Sequence, residues 1–196
     1  MGKLFGTDGI RGVVGENLTA ELAYRIGQAV TMVLTEENGK PPLITIGMDT
    51  RISSDMLESA MIAGITSVGG SVMPLGTIPT PAVAYLTIQV EADAGVVISA
   101  SHNPFQHNGI KVFNGKGYKL SDELENRVEE KILSGETMPI KCGAEIGKRI
   151  HGMKSLKYEY IKYLSETISS DLSGLRVLID CANGAAAATA PDLFSS

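Results

Sequence analysis

The stretch Ala94-Gly-Val-Val-Ile-Ser-Ala-Ser-His-Asn-Pro-Phe-Gln-His-Asn-Gly-Ile-Lys111 changes from wholly apolar to polar within a few residues. Its first five residues, Ala94 to Ile98, are short, apolar and β-branched, the pattern of a strand buried on both faces. Beyond Ile98 the chain is punctuated by Asn103-Pro104 and Asn108-Gly109, both turn-forming pairs. A buried strand that opens into a polar loop sets that loop at the rim of an α/β sheet, where ligands bind. The loop holds a hydroxyl nucleophile at Ser101, imidazoles at His102 and His107, and a cation at Lys111. Gly109 to Phe113 is expected to return as a hairpin-like strand, bringing Lys111 back beside Ser101.

Strand and helix signals alternate on either side of this stretch. Leu18, Leu22, Ile26, Ala29, Val30 and Val33 recur at helical spacing behind Asn17 and Thr19 as candidate caps, with Asn38-Gly39 as the stop. Leu43 to Gly47 reads as a strand. Ser53, Ser54 and Asp55 open a second helix carrying Leu57, Met61, Ile65 and Val68, closed by Gly69-Gly70. Ser71 to Leu75 is a further strand whose Pro74 suits an edge, and a short helix is expected around Ala82 to Ile88. Asp122 with Glu125 resembles a capping box for a helix bearing Leu124, Val128 and Ile132. Leu156, Tyr160, Leu164 and Ile168 make a four-residue ladder that predicts another long helix. The fold class is therefore α/β, with a mixed, mostly parallel sheet between helices.

Leu175 to Asp180 is another buried-type strand pattern, Cys181-Ala-Asn-Gly184 a turn, and Ala185 onward a helix with Pro191 in its first turn or kinking it. One strand and one partial helix cannot enclose a core. The reading is a first domain over 1–171 and the truncated start of a second over 172–196, beginning near Leu172.

The 196 residues are 43% hydrophobic and 20% charged, an ordinary globular composition. A net charge of -5 supplies no basic field for nucleic acid or an anionic membrane. No apolar signal core follows Met1-Gly2-Lys3-Leu4, and no run approaches transmembrane length. Cys142 and Cys181 lie far apart without metal-ligand spacing and read as reduced thiols. Together these features suggest a cytoplasmic protein that binds neither nucleic acid nor membrane. Oligomeric state is not readable, and a homodimer stays open.

Phosphoryl transfer needs a nucleophile, cations around the transferred group and backbone donors. Ser101 is the expected nucleophile. His102 is expected to point away from it, since adjacent side chains on an extended segment alternate in direction. Ser99 reads as a turn hydroxyl bonded to backbone. No Gly-x-Ser-x-Gly elbow surrounds either serine, and no Walker A loop or complete dinucleotide fingerprint is present. The serine is thus better suited to carry phosphate than acyl groups. Gly6-Thr-Asp-Gly-Ile-Arg-Gly12 adds turn-forming glycines and the forked Arg11 guanidinium that phosphate prefers. Asp49 and Arg51 are expected to pair and orient the serine loop.

Gly6-Thr7-Asp8-Gly9-Ile10-Arg11-Gly12, taken with Ser99-Ala100-Ser101-His102-Asn103-Pro104-Phe105 and Asn108-Gly109-Ile110-Lys111, resembles the α-D-phosphohexomutase family. The branch it resembles most interconverts glucosamine 6-phosphate and glucosamine 1-phosphate for cell-wall amino sugars. That resemblance implies a four-domain enzyme in which Ser101 carries a phosphoryl group and exchanges it with a phosphosugar through a sugar 1,6-bisphosphate. It implies that Arg11 and Lys111 contact the transferring group, that His102 stands beside it, and that one phosphoserine oxygen ligates Mg²⁺. The family's Asp-x-Asp-x-Asp metal loop is absent from these residues, so negligible mutase activity is expected from the chain alone. Two alternatives remain open: the same chemistry on glucose or mannose phosphates, and a non-catalytic phosphosugar-binding module.

Overall fold

A computed structural model describes residues 4–135, 137–151, 155–170 and 173–195. Gly2 and the expected boundary at Leu172 lie outside them. In chain order the elements are β1 (Ile10–Val13), α1 (Ala20–Asn38), β2 (Leu43–Met48), α2 (Ser54–Ser67), β3 (Ser71–Thr77) and α3 (Thr80–Gln89). There follow β4 (Ala94–Ile98), β5 (His107–Asn114), α4 (Asp122–Leu133), α5 (Ser155–Ser165) and α6 (Ala190–Ser195). The sheet runs β1-β5-β4-β2-β3. β2 pairs in parallel with β3 and β4, whereas β5 runs antiparallel to β4 and β1. Pro74 does lie on an edge strand, where its missing N–H costs no ladder bond.

Both faces of the sheet are covered, which explains the unbroken apolar run of β4. Val96 and Ile98 pack with Ile44, Ile46 and the inner faces of α1, α2 and α4. Val97, one residue out of phase, packs instead with Val83 and Leu86 of α3 and Tyr160 of α5. All five β4 residues are buried. On the α3 face, Thr45 Oγ1 and Thr87 Oγ1 meet at 2.6 Å and satisfy each other within the core.

Local signals set most element ends. Thr19 caps α1 by accepting from Leu22 N–H, and Gly39 closes it at φ 70°. At α4 the cap is Ser121, which accepts from Leu124 N–H, so the expected Asp122–Glu125 box is displaced by one residue. Glu125 is buried instead, held by Lys119 Nζ at 2.8 Å. α5 stops at Ser165, short of the ladder's last rung, and Ile168 is exposed.

The largest departure lies near the carboxyl end. Leu175 to Asp180 forms no strand, and Leu175, Val177, Leu178 and Ile179 are exposed. A strand exists only through a partner ladder, and no described residue offers one. Pro191 stands in the first turn of α6, as one of its two expected positions required.

Candidate functional site

The parallel strands β2 and β4 end on the same side, and Asp49 N–H donates to Ile98 O at 3.0 Å. The loops that follow, 49–53 and 99–106, therefore share the carboxyl rim of the sheet. Ser99 N–H donates to Gly109 O and Ser99 Oγ accepts from Ser101 N–H, the backbone role expected of that hydroxyl. Asn103 N–H to Ala100 O and His107 N–H to Pro104 O close the turns between.

Arg51 ties the serine loop down. Its Nε pairs with Asp49 Oδ2 at 3.0 Å. Nη1 donates to Pro104 O and His107 O, and Nη2 to Ser101 O and Asn103 O, at 2.8 to 3.0 Å. These are all five guanidinium N–H donors. Asp49 also accepts from Arg51 N–H and Ser54 Oγ. The expected orienting pair is thus present, and its reach extends to three carbonyls of the loop and to that of His107 at the start of β5.

Ser101 is exposed and sits at φ 58°, a left-handed conformation rare outside glycine. That backbone breaks the alternation of an extended segment and swings neighbouring side chains together. Ser101 Oγ lies 3.3 Å from His102 Nδ1. The expectation that these side chains point apart is therefore corrected. It assumed an extended loop, and the serine is not extended. Strain at one residue of a loop so heavily tethered is characteristic of functional positions.

Asn108-Gly109 is likewise no turn; both residues belong to β5. Asn108 is fully buried, donating from Nδ2 to Ser53 Oγ and Ser54 Oγ while its Oδ1 accepts from Gly109 N–H. Gly109 faces Arg11 across the β1–β5 ladder, and a Cβ there would stand 2.9 Å from Arg11 Cγ. The missing side chain seats the arginine.

Arg11 and Lys111 are brought together, with a carboxylate between them. Asp8 Oδ2 lies 3.2 Å from Arg11 Nη2, and its Oδ1 lies 3.9 Å from Lys111 Nζ. Arg11 Nε is buried without a partner among the described residues. Gly6 and Gly9 exchange hydrogen bonds in a tight turn at φ 82° for Gly9, where an added Cβ would collide with Ile110 O. This glycine allows a close approach to β5. Glu129 of α4 fixes the segment by accepting from Leu4 and Phe5 N–H at 2.8 and 3.2 Å.

The two groupings border different cavities. Ser101 lines one of about 500 Å³ with Asp49, Phe105 and the 182–185 turn. Lys111 and Asp8 line another of about 230 Å³ with Thr80 of α3. Asp8, Glu129 and Asn183 were not singled out from sequence. The pairing of Asp8 with Arg11 at i,i+3 was the one signal that could have found the first. Among the described residues no three His, Cys, Asp or Glu side chains gather to hold a metal. Asp49 and Asp8, the carboxylates nearest the two groupings, are already paired with cations, so the residues present do not form a Mg²⁺ cage.

Residues 2–138 match the family described as phosphoglucomutase/phosphomannomutase, alpha/beta/alpha domain I. The chain belongs to this family. It is 56% identical over 195 residues to a phosphoglucosamine mutase of Acetivibrio thermocellus, which spans 99% of this chain and 43% of that protein. It is also 56% identical over 192 residues to a phosphoglucosamine mutase of Ruminiclostridium cellulolyticum, covering 97% of the chain and 42% of the relative. The chain thus spans less than half the length of the curated relatives it matches. Among solved structures, a phosphoglucomutase/phosphomannomutase family protein of Burkholderia thailandensis superposes with a TM-score of 0.79 at 24% identity. That match covers 98% of this chain and 42% of the other. Parafusin, a phosphoglucomutase of Paramecium, gives 0.74 at 17% identity, covering 98% and 41%. These two likenesses speak to the fold.

Proposed function

We propose that this chain is the phosphoserine-bearing part of a phosphoglucosamine mutase, with 1–171 as its first domain and 172–196 as the start of a second. The observation that carries the reading is Ser101 itself: exposed, left-handed, pinned through its carbonyl by Arg51, and 3.3 Å from an imidazole nitrogen. Relatives named phosphoglucosamine mutase at 52–56% identity support the amino-sugar substrate over glucose or mannose phosphates.

In this reading Ser101 Oγ attacks a phosphorus of a sugar 1,6-bisphosphate. A bond from Oγ to phosphorus forms, the sugar oxygen leaves with the electron pair, and His102 Nδ1 takes the serine proton. The reverse step returns the phosphoryl group to glucosamine 6-phosphate or glucosamine 1-phosphate. The resemblance assigns Arg11 and Lys111, which border a separate cavity from Ser101, to neutralising the transferring dianion, which would displace the Asp8 carboxylate from between them. Among the described residues the family's Mg²⁺ would find the phosphate of a phosphorylated Ser101 but no carboxylate cage, and no step is assigned to it. A cytoplasmic setting fits a phosphosugar substrate. Among the described residues no helix is long and apolar enough to cross a membrane.

Intact-mass measurement after incubation with glucose 1,6-bisphosphate tests this. The chain is expected to gain a single phosphoryl group, and Ser101→Ala none. No uptake by the unaltered chain, or undiminished uptake by Ser101→Ala, would overturn the reading.

A further inference from the structure

The Ser101 cavity has a second wall. Beside the serine loop it is lined by the turn Ala182 to Ala185, which overlaps the turn expected at Cys181 to Gly184 and follows the segment where a strand was expected. Thr50 Oγ1 donates to Asn183 O at 2.7 Å, while the next residue, Arg51, donates to Ser101 O at 3.0 Å. Consecutive residues of one β2–α2 loop thus fix both walls and the gap between them.

The backbone of the turn is unusual. Ala182 and Asn183 lie at φ 47° and 53°, both left-handed, with Asp180 Oδ1 accepting from Ala182 N–H at 2.8 Å. Asparagine tolerates that conformation better than most residues. Its carbonyl is taken by Thr50. Its carboxamide is exposed and has no hydrogen-bond partner among the described residues.

A phosphoryl group on Ser101 needs donors on this side. Arg51 cannot supply them, because its five N–H groups are all engaged by Asp49 and the loop carbonyls. Asp49 beside it is an acceptor. Asn183, whose carboxamide is a neutral double donor, lines the same cavity. Resting on the phosphoserine reading above, we propose that Asn183 is a further phosphate-contacting residue, its amide donating to the phosphoryl group carried by Ser101.

Three variants of the chain test this, read by the rate of phosphoryl uptake from glucose 1,6-bisphosphate and by melting temperature. Asn183→Gly deletes the amide but keeps the left-handed backbone and Thr50's acceptor. It is expected to melt at or above the parent temperature and to take up phosphate about tenfold more slowly, the loss of one hydrogen bond to a charged group. Asn183→Asp keeps the shape and replaces the donor by a negative charge, so uptake slows further. Tyr118→Ala changes an exposed position outside that cavity and leaves the rate unchanged. A wild-type rate in Asn183→Gly, or Asn183→Asp as fast as Asn183→Gly, overturns the proposal and leaves the phosphoserine reading intact. A parent chain that takes up no phosphate overturns both.

Discussion

Arg51 is the residue on which the serine loop depends. Its side chain is 11% exposed and it reaches carbonyls 50 to 56 positions along the chain. A lysine in its place keeps the charge but has three donors on a single nitrogen and no planar fork. Arg51→Lys should leave two or more loop carbonyls without protein partners and destabilise the chain by about 2 kcal/mol. Urea denaturation reads the stability, and hydrogen exchange over 99–106 should quicken before global unfolding. Exchange in that loop at the parent rate would mean that the turns hold it without the guanidinium. Ser101 and His102 illustrate the limit of residue-level reasoning. Their identities made them candidates, but their mutual distance depends on one positive φ that composition does not encode.

At the scale of elements, α1 and α2 are drawn together by two glycines. A Cβ on Gly64 would stand 2.1 Å from Tyr24 O, and one on Gly27 would stand 2.7 Å from Met61 O. The helix backbones touch, which lets Ile26, Val30, Leu57, Met61 and Ile65 close over β2 and β4. Alanine is the better helix former by about 1 kcal/mol. Forcing the helices apart costs about 1–3 kcal/mol and disturbs every contact along the seam. Gly64→Ala is expected to lose about 2 kcal/mol net, seen as a lower urea midpoint at unchanged slope. A midpoint equal to or above the parent's would show that the seam yields without cost. The periodicity that located these helices was legible in the apolar positions. The glycine contacts were not, because a glycine at helical spacing reads as weakness until its neighbour is known.

For the whole molecule, the sheet and its helices account for a closed core, whereas 175–179 presents an apolar face to solvent. Leu178 is 97% exposed and Leu175 65%. An unpaired apolar segment of this kind invites association through its edge and its side chains. Sedimentation velocity should show apparent mass rising with concentration, and Leu178→Lys should suppress that rise. A single concentration-independent species in the unaltered chain would disprove it. The same segment leads into the 182–185 turn, so its order also bears on the wall beside Ser101.

Cap residues, apolar spacing and turn pairs act over a few positions, so the amino-acid order by itself determined the succession of helices and strands. It also determined the loop carrying Ser101 and His102, the strand that returns with Lys111, and the family motif that includes Arg11. Contacts between distant positions depend on strand register and packing, which no local pattern records. Only the tertiary structure seated Arg11 against Gly109, set Asp8 between the two cations, and drew Asn108 out of a turn and into β5. Packing also joined Thr50 to a turn 133 positions away, and left Leu175 to Asp180 without the partner that a strand requires.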